Sequence, residues 1–165
     1  GETIRHILLN PSVKMSPLTE LLLYEAARRE HVEKVIKPAL RAGCVVLCDR
    51  FTDASIAYQA YGRKLPLRLI NRLNHIATGG VTPTLTFLLI KDPQKGLRAA
   101  RTLKPQHKKG DRLEMEGLSF QKRVLGGYKA LAKKEPKRIR PVSVRPRVAQ
   151  TQNVLRSCLL KAGVS

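Results

Sequence analysis

The chain has 165 residues, 42% of them hydrophobic, which is enough for one ordinary domain with a core and excludes a disordered composition. No run of 18 apolar residues occurs, so no membrane-spanning helix is encoded, and the opening GETIRHILL lacks the charged start and cleavage site of a secretory signal. Against 12 acidic residues stand 32 basic ones, a net charge of +20, with a surplus of +5 over residues 1–90 and +15 over 91–165. Such a field attracts nucleotides, nucleic acid or acidic membranes without choosing among them.

In chain order, the first strong element begins at Ser16, a good N-cap followed by Pro17 at the first helical position and by Glu20, which complements the helix dipole. Leu18, Leu21, Leu22, Val32, Val35, Ile36, Ala39 and Leu40 recur at helical spacing, and Gly43 closes the helix. Pro38 kinks it or loosens its last turn. CVVLC (44–48) follows as a continuously apolar run, which predicts a strand covered on both faces. Leu67 to Ala77 has helical spacing, and LTFLLI (85–90) predicts a second strand. Further helical patterns run from Pro93 to Arg101 and through Met115, Leu118, Val124, Tyr128 and Leu131. RIRPVSV (138–144) is a weaker strand, sent to a sheet edge by Pro141. Val148 to Lys161 reads as a closing helix. Strands alternating with helices predict one α/β domain over 1–165 with a parallel sheet.

Cys44 and Cys48 lie roughly 13 Å apart on a strand, too far to bridge. The histidines are scattered and no metal-ligand cluster occurs, so the expectation is a reduced, cytoplasmic protein without a structural metal. Ligands of open parallel sheets bind at the carboxyl ends of the strands, where Asp49 and Arg50 fall. An arginine fork there suits a phosphate, and an aspartate suits Mg²⁺ or the orientation of that arginine. A purely structural Asp-Arg pair explains the two residues alone equally well.

The surrounding residues resemble the thymidylate kinase family. MSPLTELLLYEAARREHVEKVIKPALRAG, CDRFTDASIAYQAYGR, ATGGVTPTLTFLL, DPQKGLRAAR and DRLEMEGLSFQKRVLGGY follow one another in family order, from Gly1 to about Ile139. The resemblance implies a three-layer, P-loop-kinase-like parallel sheet flanked by helices, and transfer of the γ-phosphoryl group of ATP to dTMP with Mg²⁺. It places Tyr24 where an aromatic ring stacks on thymine and Arg28 where an arginine reaches the base edge. Arg50 matches the arginine gripping the substrate phosphate, and Asp49 the acid beside the phosphates and Mg²⁺. Ser55 and Gln59 match positions near the thymine, and Tyr58 the position that crowds the sugar. Arg98, Arg101, Lys104, Lys108, Lys109 and Arg112 fall in a stretch, about 98–114, like the family's lid over the phosphates. A homodimer is the family expectation.

The chain also departs from the family. G-x-x-x-x-G-K-[ST] does not occur, and Gly1 matches a point just past the second family strand, so the first strands and the P-loop are expected to be absent from this chain. A sheet short of its central strand is expected to leave CVVLC and LTFLLI poorly covered, with weak folding and weak ATP binding. Thr84, Ile90 and Ser143 stand where relatives commonly carry acids, and Ala54 where they carry serine. Two other readings stay open: a non-catalytic remnant that keeps the monophosphate pocket, and a basic nucleic-acid-binding protein. The second is opposed by an aromatic content of 4% with no tryptophan.

Overall fold

The computed structural model describes residues 1–90 and 112–163. Helix α1 (Glu2–Leu9) leads through a short loop to α2 (Pro17–His31), whose Ser16 side chain accepts the Thr19 amide as expected of an N-cap. The helix continues through a π-helical stretch (Val32–Ile36) into α3 (Lys37–Arg41). This is where Pro38 acts: it has no N–H to donate and its ring collides with the preceding turn, and the Lys37 amide reaches five residues back to Val32.

The second helical segment starts at Thr52 as α4 (Thr52–Ser55) and runs on as a π-helix (Ile56–Gly62). Then come α5 (Leu67–Thr78), strand β1 (Thr86–Ile90), a 3₁₀ turn (Glu114–Glu116), α6 (Gly117–Lys134), strand β2 (Ile139–Ser143) and α7 (Val148–Lys161). β1 and β2 pair in parallel, with Thr86 opposite Ile139 and Leu88 opposite Pro141. A parallel pair needs a long crossover, and α6 lies within it.

Two apolar clusters hold these parts. Leu88, Leu131, Ala132 and Ile139 join the sheet to α6, with Ile56, Ile90 and Tyr128 packed against them. Ala57, Phe120 and Val124 join the π-helix to the same helix. The close approach is made by glycine: a Cβ on Gly62 would sit 2.7 Å from Phe120, and one on Gly127 2.8 Å from the Tyr61 ring.

One expected strand is corrected. Cys44–Cys48 forms no strand, and among the described residues its only backbone bond to another segment is from the Cys44 amide to Ala39. Val45 is 65% and Leu47 86% exposed instead of covered on both faces. An apolar run becomes a strand only when a neighbour accepts its N–H and C=O groups, and no described strand lies beside this one. The expected helix from Pro93 to Arg101 lies outside the described residues. Thr84 is exposed, Ile90 and Ser143 end the two strands, and Ala54 is half-buried in α4.

Candidate functional site

Glu20, Tyr24 and Arg28 are spaced by four on α2 and therefore share one face. Ser55, Gln59 and Arg63 repeat that spacing on the second helical segment. Side-chain bonds lock the two rows together in opposite sense. Arg28 Nη2 donates to Ser55 Oγ at 2.8 Å, Gln59 Nε2 to Glu20 Oε1 at 2.9 Å, and Arg63 Nη2 to Glu20 Oε2 at 2.8 Å. Tyr24 stands half-buried between the two anchor points.

Both ends of this seam carry buried charge. Glu20 is 1% exposed and also takes Arg112 Nη1 at 2.6 Å. Burial by itself would raise the Glu20 carboxyl; the hydrogen bonds from Arg63, Gln59 and Arg112 outweigh it and hold the group below its usual range. At the other end, Arg28 Nη1 donates to Glu25 Oε1 and to Asn74 Oδ1, and Nη2 also reaches the Phe51 carbonyl at 3.2 Å. The Arg28 guanidinium lies 5.6 Å from the centre of the Phe51 ring.

Arg50 has a left-handed backbone, φ +66°, and its guanidinium sits 5.1 Å over the Tyr58 ring. Tyr58 meets Phe120 and Tyr128 edge to face at 6.0 and 6.4 Å. Burial, only partly offset by the Arg50 cation, pushes the Tyr128 phenol well above its usual value, so it stays protonated at neutral pH. Arg50 has no carboxylate within ion-pair distance among the described residues, in contrast with Arg28, Arg63, Arg112 and Arg138. An arginine on an aromatic ring without a carboxylate partner keeps its charge for an incoming anion.

The expected site residues therefore fall into four groups. Tyr24, Arg28, Ser55, Gln59, Arg50 and Tyr58 are brought to the two facing helical segments and the loop between them. Asp49 is exposed beside Arg50 at the end of the apolar run. Arg112 is tied into the framework: its amide and Nε donate to the carbonyls of Leu9 and Leu8 at the end of α1, Nη1 pairs with Glu20, and Nη2 is buried without a partner among the described residues. Arg98, Arg101, Lys104, Lys108 and Lys109 lie outside the described residues.

Sequence reasoning missed Glu25, Asn74, Phe51 and the Asp53–Arg138 pair. Asp53 receives both η nitrogens of Arg138, at 2.8 and 2.7 Å, and so ties α4 to the start of β2. The spacing of Glu25 and Arg28 is a readable i, i+3 ion pair, but nothing local tells a buried pair from a surface one. Among the described residues no three His, Cys, Asp or Glu side chains gather to hold a metal. Asp49 offers one carboxylate, which fits a Mg²⁺ ion carried mainly by nucleotide phosphates and water.

The thymidylate kinase family model matches residues 1–154. A thymidylate kinase of Gloeobacter violaceus is 48% identical over 159 residues, covering 96% of this chain and 74% of the relative. One from Synechococcus sp. (strain JA-2-3B'a(2-13)) is 53% identical over 143 residues, covering 87% of this chain and 66% of the relative. The crystal structure of thymidylate kinase from Ehrlichia chaffeensis superposes with a TM-score of 0.72 at 30% identity, covering 96% of this chain and 72% of that one. The chain thus spans about two thirds to three quarters of the length of these relatives.

Proposed function

The chain belongs to the thymidylate kinase family, and from that premise we propose that it serves ATP-dependent phosphorylation of dTMP to dTDP, a step towards dTTP, by providing the monophosphate pocket. The observation that carries this reading is the seam between α2 and the Thr52–Gly62 segment, where Arg28 bonds Ser55 and Glu20 bonds Gln59 at the two ends of a row that includes Tyr24, with Arg50 stacked on Tyr58 of the same segment. A stacking ring, a base-edge arginine and short polar groups suit a nucleoside, and Arg50, with no carboxylate within ion-pair distance among the described residues, suits its phosphate.

In this reading Arg50 orients the acceptor phosphate for in-line attack and offsets its charge, and Tyr58 fills the space beside the sugar. Phosphoryl transfer asks the protein mainly for positioning and charge stabilisation, which these groups provide without covalent chemistry. Asp49 would hold Mg²⁺, directly or through water, and the ion would supply charge neutralisation at the phosphates. The basic stretch Arg98, Arg101, Lys104, Lys108 and Lys109 is proposed to serve the phosphates from the lid, whereas Arg112, bonded to Glu20 and to the end of α1, is assigned to the framework at the lid's exit. A cytoplasmic setting and a homodimer belong to the same proposal.

The test compares binding of dTMP and thymidine to the protein and to Arg50→Ala by calorimetric titration. Loss of a charge-assisted phosphate contact costs about 1.5–3 kcal/mol, so dTMP affinity should fall roughly 10- to 100-fold while thymidine affinity holds. Equal effects on both ligands, or none on either, would remove Arg50 from the phosphate and with it this orientation of the pocket.

A further inference from the structure

Glu25 is a buried carboxylate one position along α2 from Tyr24, and the proposed phosphoryl transfer gives it no task. It is 5% exposed, its Oε1 receives Arg28 Nη1 at 2.5 Å and Ser55 Oγ at 2.9 Å, and its Oε2 has no partner among the described residues. Arg28 has five N–H donors, and the four on its η nitrogens go to Glu25, Asn74, the Phe51 carbonyl and Ser55. Only Nε–H remains for a ligand. Ser55 gives its single proton to Glu25 and one lone pair to Arg28, so towards a ligand it can only accept. Glu20 acts on Gln59 in the same direction, by taking a proton of its amide nitrogen.

Two consequences follow for recognition. The Glu25 charge cancels that of Arg28, which suits the pair to a neutral group, whereas Arg50 keeps its charge for an anion. The proton held by Glu25 also sets the polarity of Ser55. An acceptor facing a base favours a ring N–H and repels a bare ring nitrogen.

We propose that Glu25 is a specificity-determining positioning residue: by holding the Ser55 proton and the Arg28 fork it makes the pocket select an imide base, N–H beside C=O, over a base with an unprotonated ring nitrogen at that place. This rests on the reading of the seam as a nucleoside monophosphate site. Thymine and uracil satisfy the pattern, and cytosine, with an amino group beside a bare nitrogen, opposes it. A polar site rejects a mismatched partner strongly because its own groups are left unpaired.

The test is the ratio of dTMP to dCMP affinity, by titration of the full chain, in the parent, Glu25→Leu and Glu25→Gln. Leucine accepts no hydrogen bond, which frees the Ser55 proton to face the ligand, whereas glutamine can keep its carbonyl oxygen at the Oε1 position, under both Arg28 Nη1 and Ser55 Oγ. The expected result is a ratio reduced at least tenfold in Glu25→Leu and retained in Glu25→Gln. Equal weakening of both ligands in Glu25→Leu, or an unchanged ratio, overturns the proposal, because a purely structural role moves both affinities together. Should Glu25→Leu fail to fold, Ser55→Ala removes the acceptor itself: the ratio should collapse there too, and an unchanged ratio overturns the proposal. A parent chain that binds neither nucleotide rejects the pocket reading, whereas a parent that prefers dTMP through an unmoved ratio in the variants rejects only the role of Glu25.

Discussion

Glu20 receives hydrogen bonds or ion pairs from Gln59, Arg63 and Arg112, and through Arg112 it reaches the end of α1. Replacing the carboxylate leaves Arg112 largely buried without its counter-charge and Arg63 with Glu116 alone, which costs more than the pairs contribute when intact. Glu20→Gln should therefore lower unfolding free energy by about 3 kcal/mol, read from denaturant titration with unchanged slope. The same residue sets an acid limit. Its folded carboxyl lies below its ordinary value of 4.5, so its contribution is fully present above that value and is lost as pH falls through the folded one. The parent should lose stability steeply below about pH 4.5, and Glu20→Gln should show a shallower dependence over that window. Position in the sequence marks Glu20 as a first-turn acid facing the helix dipole. Only the arrival of Arg63 and Arg112 from distant segments makes it the centre of a buried network.

At the scale of elements, the seam between the π-helix and α6 depends on missing side chains. Phe120 fits against Gly62, with Arg63 and Arg123 cations 4.9 and 5.8 Å from its ring centre, and Tyr61 covers Gly127. Alanine at 127 would gain helix propensity, about 1 kcal/mol, but would bring a methyl to 2.8 Å from the Tyr61 ring. We expect Gly127→Ala to destabilise by about 1–2 kcal/mol net, and Gly126→Ala, whose added carbon meets nothing within 4 Å, to be neutral or stabilising. Paired thermal melts of the two variants test this; equal shifts would refute the close packing. Helix periodicity predicts α2, α5, α6 and α7 because the apolar residues of each recur at helical spacing, a local property. The strand at 44–48 failed because pairing is not a local property: the apolar run is real, but its partner must come from elsewhere.

For the whole molecule, two features pull in different directions. The parallel pair β1–β2 with α6 forms a packed unit, while Val45 and Leu47 stand exposed next to the site loop. The charge of +20, concentrated after residue 90, opposes self-association through such patches and also favours contact with polyanions. Binding to a single-stranded oligonucleotide should weaken steeply from 50 to 200 mM salt, whereas dTMP binding through one phosphate should change far less. Similar salt slopes for both ligands would place the nucleotide in a diffuse basic field, outside the pocket.

The amino-acid order by itself determined the helices with apolar faces, the two strands that pair, the family, and the residue types at the pocket, because these are carried by local spacing and by contiguous motifs. Tertiary structure alone decided that Arg28 pairs with Glu25, that Ser55 gives its proton to Glu25, that Arg50 has no carboxylate within ion-pair distance among the described residues, and that 44–48 forms no strand. Each of these depends on which donors and acceptors from separate segments come within about 3 Å, a distance that no sequence spacing encodes.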